Sequence, residues 1–211
     1  MKYELIKLEP GHKFYDTGVN YQIRALKDIE SMGIRKGDLG GYVNDKDNLS
    51  QEGNCWIFND SRMFNNSRMY DNSKMHNNSM MFNNSEMHDN SEMYDNARMY
   101  NNSKMHNNTV MFNNSEMHDN SEMYGKSRMF DSAVLTNDSS LINKTAWYMR
   151  TKQYSITISS HIQIGCKRHT YEEWMSFTDE KIDEMEKEYS LKWWKSHKEL
   201  VKQAYIVFIR Q

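Results

Sequence analysis

Cysteine is nearly missing from this chain: two in 211 residues, Cys55 and Cys166, far apart and with no CxxC partner. That excludes a disulfide framework and a cysteine zinc site, and both are expected to be buried free thiols. No apolar run reaches 18 residues, so no membrane contact is expected. The opening MKYELIKLEP lacks the apolar core of a signal peptide, which places the expected chain in the cytoplasm. Charge of one sign is absent too. A net −2 excludes a general appetite for phosphate backbone and a wholesale mimic of DNA, so no sequence-specific nucleic acid is expected as partner. Glycine is scarce, and its densest word, RKGDLGGYV, lacks the GK[ST] ending of a phosphate loop; it reads as a turn.

What the chain has in excess is methionine, 18 in all, and asparagine. From Ser61 every sixth residue is small: Ser61, Ser67, Ser73, Ser79 and onward to Thr145. Two places later stand Met63, Met69, Met75 and each sixth residue to Met129, then Leu135, Leu141 and Trp147; Ile57 holds the slot one word earlier. SKMHNN recurs at 73 and 103 and SEMHDN at 85 and 115, as though a five-word block had duplicated. Six residues advance an α-helix by about 600°, so such positions would drift around its axis. Short alternation with a corner fits instead. The first and third residues of a word then face inward. The second, mostly Arg, Lys or Glu, and the fourth, an aromatic ring or His, face water. The fifth and sixth, Asn or Asp, are the non-glycine residues that best tolerate φ > 0 at a tight corner.

These words resemble the hexapeptide repeats of left-handed parallel β-helices, with Met where Val or Ile is usual. The resemblance implies a mainly β fold, a single-stranded parallel β-helix with three words per coil, so that residue i lies on i+18. One column of second positions then reads Arg68, Glu86, Lys104, Glu122, alternating in sign coil by coil. The expected organisation is an N-terminal β cap (1–48), a solenoid of about five coils (49–150), and a C-terminal hairpin and helical module (151–211). In the last, YSITI and HIQIGC read as a hairpin about Ser159-Ser160. Thr170 with Glu173 forms a capping box, and Thr178 opens a second helix. Leu191, Trp194, Val201, Tyr205 and Phe208 make an apolar helical stripe, for packing or for contact in a homo-oligomer.

The order YQIRALKDI, KGDLGGYV, NLSQEGNCWIFNDSRMF, hexads, hairpin and helices is similar to hexad-repeat solenoid proteins common in bacteriophages and prophages. That likeness implies a phage protein in the cytoplasm of a bacterial host, binding a host protein without catalysis. A class-level analogy makes it an antagonist of host defence, such as an anti-CRISPR-type inhibitor. No cofactor and no metal are expected. The fourth slots supply candidate binding ladders. On one face stand Phe64, Phe82, Tyr100 and His118, beside Arg62, Met80 and Arg98. On a second stand Tyr70, His88, His106 and Tyr124. On a third stand His76, Tyr94, Phe112, Phe130 and Tyr148. The first and third are the first choices for a partner or a sister subunit. Two alternatives stand beside this: a trimeric acyltransferase-like enzyme, against which His trades places with Phe and Tyr, and capture of a nucleotide-like ligand by rings and Arg or Lys.

Overall fold

The structure, a computed structural model, describes residues 1–186 and 190–211. Three strands open the chain: β1 (Tyr3–Lys7), β2 (Tyr21–Ala25) and β3 (Leu39–Val43). Fifteen strands of two or three residues follow, β4 (Trp56–Ile57) through β18 (Ser140–Ile142). Four more, β19 (Trp147–Arg150), β20 (Ser155–Ile158), β21 (Ile162–Ile164) and β22 (Lys167–His169), precede α1 (Tyr171–Ser176), α2 (Asp179–Met185) and α3 (Ser190–Ile209).

The short strands stack in parallel as three sheets, each strand pairing with the one 18 residues on: Arg62 on Met80, Lys74 on Glu92, Lys104 on Glu122. This is a β-solenoid of about six turns, one more than expected, because β3 of the N-terminal region joins the first sheet parallel to Arg62–Met63. Backbone bonds run from coil to coil, as from Tyr100 N–H to Met117 C=O (2.8 Å). Every small residue from Ser61 to Ser139 and every apolar residue from Met63 to Leu141 in the third slot is buried. Small residues are required there because the chain must turn within a few ångströms of the axis, while Met is slim and unbranched enough to fill what remains.

Most corners close the same way. The first residue of a word donates its N–H to the carbonyl three residues back, that of the fourth residue in the preceding word, as Ser103 does to Tyr100 (3.3 Å). The fifth residue takes φ near +55 to +65°: Asn65, Asn77, Asn101 and Asp119 at 53, 62, 57 and 58°, with Gly125 at 69°. Among the described words the sixth residue, expected to share this conformation, does so only at Asp138. Its amide instead bonds the next coil: Asn66 donates to Asn84, Asn84 to Asn102, Asn102 to Asn120, and Asn120 to the Asp138 carboxylate (3.4, 3.2, 3.1 and 2.9 Å). The fifth residues form a like ladder, Asn65 to Asn83 to Asn101 to Asp119, each 2.9 Å. Both run donor-first toward the C-terminal end and stop on a carboxylate, which suits the positive end of a row of aligned amide dipoles.

Both ends are covered. The antiparallel β1–β2–β3 sheet closes the first, with Trp56 fully buried among the residues of this cap. The glycine-rich word is only partly a turn. Gly37 makes the turn at φ 96°, but Gly40 and Gly41 lie inside β3, where a Cβ would meet Ile23 at 2.6 Å and Ile57 at 2.3 Å. They are small because strand and first coil press together, not because the chain bends there. At the other end the expected hairpin is a four-stranded antiparallel sheet, β19–β20–β21–β22. Trp147 and Tyr148, expected to continue the words, belong to β19 and pair with β20, so the third ladder stops before Tyr148.

The capping box at Thr170 and Glu173 forms as expected, and Thr178 caps α2. An ion pair, Lys195–Asp179 at 2.6 Å, joins α2 to α3; residues 187–189 lie outside the described residues. Cys55 is buried, but Cys166, expected inside, is exposed in the turn between β21 and β22.

Candidate binding faces

Alternation within each word sends the second and fourth side chains outward, so each flat face carries two columns, one of ions and one of rings. The rings stack in three columns. Phe64, Phe82, Tyr100 and His118 form one; Tyr70, His88, His106 and Tyr124 another; Phe58, His76, Tyr94, Phe112 and Phe130 the third. Neighbouring centroids lie 4.4–5.0 Å apart and planes tilt by no more than 14°. That geometry has a chemical consequence. Each ring's faces are taken by its neighbours, so what meets solvent along a column is ring edge. A base or sugar could stack only at a column's end, which weakens capture of a nucleotide-like ligand along the ladder.

The candidate residues divide sharply. Phe64 is a correction: it is buried at 9% exposure, in a cluster with Leu8, Val19 and Tyr42, and Gly18 lies against its ring. The loop between β1 and β2 folds over this end of the first face. Its Phe14 ring sits under the Arg62 guanidinium at 4.6 Å, and Met80 and Phe82 pack against the same cluster. Arg98, Tyr100 and His118 lie beyond that loop, half-buried by their own column alone. On the third face Tyr94, Phe112 and Phe130 are half-buried in an unbroken stack, which Phe58 begins. Phe58 lay outside the in-phase words that start at Ser61, yet it stands 18 residues before His76; carrying the period back one word finds it.

The α3 stripe takes the first of the two roles expected of it, packing. Trp194, Val201 and Phe208 are buried at 3, 0 and 5% within this chain's own core, and Tyr205 stacks on Tyr171 at 4.2 Å. Leu191 and Tyr205 pack beside that core. What α3 leaves to solvent is Leu200, Val207 and Ile209, none of them a candidate from the sequence.

Ions and rings of one row speak to each other. Glu116 accepts from His118 (3.0 Å) and lies 3.6 Å from Arg98 one coil back; these contacts, the His118 bond above all, hold its carboxyl below the usual range. Glu86 lies 3.3 Å from His88 and 3.4 Å from Lys104. His88 and His118 thus each have a carboxylate partner two residues back, which column-by-column reading had not paired with them. Tyr124 donates to Glu122 at 2.5 Å, and that bond together with burial pushes its hydroxyl up to about 12. Tyr94 donates likewise to Glu92, which Lys74 also holds at 2.8 Å; burial first, then that bond, raises its pKa. Burial pushes the imidazoles of His76 and His106 down. Among the described residues no three His, Cys, Asp or Glu side chains converge as a metal cluster would require.

Among the described residues no helix is long and apolar enough to cross a membrane. No protein-family model matches this chain, and no curated protein matches it.

Proposed function

We propose that this chain is a left-handed, hexad-repeat solenoid of the kind carried by phages, and that it acts by binding a host protein through its outer faces, as an antagonist of a host defence system. The observation that carries the reading is the open part of the first and third faces. There, ring edges repeat at one spacing beside one ion pair on each face, Arg98–Glu116 and Lys74–Glu92, on a scaffold closed at both ends, presenting a rigid, preorganised surface. Rigid aromatic and arginine anchors of this kind dominate protein interfaces, because little side-chain freedom is left to lose on docking. The binding residues on this reading are Arg98, Tyr100 and His118 on the first face, with Phe82 at the edge of the covering loop, and Tyr94, Phe112 and Phe130 on the third.

An acyltransferase-like activity is the alternative, and the His118–Glu116 and His88–Glu86 pairs favour it, since a carboxylate orients a histidine as a base. Against it, the strands follow one another every six residues from Arg62 to Ile142, with no excursion to wall an acyl chain. Affinity capture from infected host cells, comparing wild type with Tyr100→Ala and Phe112→Ala, separates the two. Binding predicts a host protein recovered with wild type and lost with a folded variant. Calorimetry with acetyl-CoA that shows saturable heat would replace this reading with the enzymatic one.

A further inference from the structure

The second face is built differently from the other two. Its ion column reads Arg68, Glu86, Lys104, Glu122, and its ring column Tyr70, His88, His106, Tyr124. The first is an alternation of even length. The second reads the same in both directions. Consider a two-fold axis in the plane of this face, along the strand direction, midway between the coils of Glu86 and Lys104. It reverses the solenoid axis of the second copy and keeps ion column opposite ion column. Arg68 of one copy then meets Glu122 of the other, and Glu86 meets Lys104, four opposite-sign contacts without a mismatch. Tyr70 meets Tyr124 and His88 meets His106.

Neither other face does this over its whole column. On the first, Arg62, Met80, Arg98, Glu116 and Val134 reversed set Arg98 against itself; on the third, Lys74, Glu92, Val110 and Arg128 reversed set Lys74 against Arg128. Shifted registers, centred between Arg98 and Glu116 or between Lys74 and Glu92, avoid a clash but make two opposite-sign contacts in place of four. The second face is also free of the β1–β2 loop that covers part of the first. Its open rows end at a turn holding Asp47, close enough to act on the Arg68 charge, and at Ser140, bonded to Ser160 of the C-terminal sheet. Arg168 lies at that same end, donating to Ser139 at 3.3 Å. The two-fold brings the acidic turn of one copy toward Arg168 of the other.

We infer that this face is an isologous dimer interface, with a second, antiparallel copy of the chain as its occupant. A self-complementary patch is what a two-fold dimer requires. Four rows about 4.8 Å apart span only about 14 Å, smaller than the interface of a stable complex, so the dimer is weak and transient and rests on its charge pairs. The first and third faces stay open in it. Partner binding does not depend on this inference, because a monomer keeps those faces as well.

Sedimentation of the full chain up to about 1 mM, a range in which weak dimers form, tests it. Wild type is expected to form a dimer. Glu86→Lys sets like charges opposite one another twice and is expected to raise the dissociation constant by about tenfold or more. The double variant Glu86→Lys, Lys104→Glu destroys the alternation within each chain but restores opposite signs across the two-fold, so the dimer returns. Circular dichroism reports folding; if Glu86→Lys does not fold, Lys104→Glu creates the same clash. A wild type monomeric throughout overturns the proposal. So does a Glu86→Lys protein that dimerises as well as wild type, or a folded double variant that stays monomeric.

Discussion

Met105 and His106 are neighbours in sequence, and the fold sends them to opposite sides of the same wall. Met105 has no exposed surface and sits in register between Met87 and Met123. Met105→Ala removes about three methylene-sized groups, worth ~0.8 kcal/mol each, or ~2.4 kcal/mol in transfer alone. The cavity left inside a column of methionines adds to this, and their flexibility takes part of it back, leaving roughly 3 kcal/mol. His106→Ala removes a half-buried ring with stacked neighbours 4.9 Å away on both sides, a loss of about 1 kcal/mol. Urea unfolding of the three proteins measures both, the slope checking that each variant exposes the same surface. Met105→Leu, nearly equal in volume, should cost less than about 1.5 kcal/mol. If His106→Ala costs as much as Met105→Ala, the assignment of inside and outside is wrong.

The corners give a second test. Asn101→Ala at φ 57° should lose about 1–2 kcal/mol, from the left-handed backbone and the broken amide ladder, while Asn101→Gly loses less; a melting temperature lower for Gly than for Ala contradicts this. Gly125→Ala should be worse than Asn101→Ala, since its Cβ would fall 2.0 Å from Asn143 Oδ1. Stability should also fall with acid. His76 and His106 have depressed folded pKa values, so below the ordinary histidine value of 6.5 the unfolded chain takes up protons that the folded chain refuses. Glu116, also depressed, adds a second loss as pH falls through the ordinary carboxylate range near 4.5. Calorimetry at pH 7.5, 5.5 and 4 should show successive drops, and a rise between 7.5 and 5.5 would contradict the burial of those rings. A thiol reagent should label Cys166 at once and Cys55 only on unfolding, with equal rates counting against the structure.

The solenoid was legible because its physics is local and repeated. A small residue, an apolar residue two places on, and a corner former two places after that leave few ways to wind a chain. Fifteen coincidences of phase then reinforce one register. The stacked columns were legible for the same reason, and so was the charge alternation from Arg68 to Glu122. What escaped was whatever depends on a single long-range contact. Gly18 lies against Phe64 from far back in the chain, in a loop with no period of its own. Gly40 and Gly41 looked like a turn because glycine answers two needs, backbone freedom and close approach, and composition does not tell them apart. Trp147 keeps the phase of the words, but an antiparallel partner, β20, wins its backbone. The α3 stripe was read as packing or oligomer contact, since both bury the same residues; the C-terminal sheet and α1 are what cover it.

The claim beneath all of this is that the methionines line the inside of a three-sided coil while rings and ions ride outside. Peroxide oxidation of the native protein, read residue by residue in a mass spectrometer, tests it most directly. Met1 stands 91% exposed and should oxidise at the rate of a free thioether, whereas the twelve from Met63 to Met129, each at 0% exposure, should stay reduced until the chain unfolds. Oxidation of those twelve at the rate of Met1 in the folded protein would contradict the account.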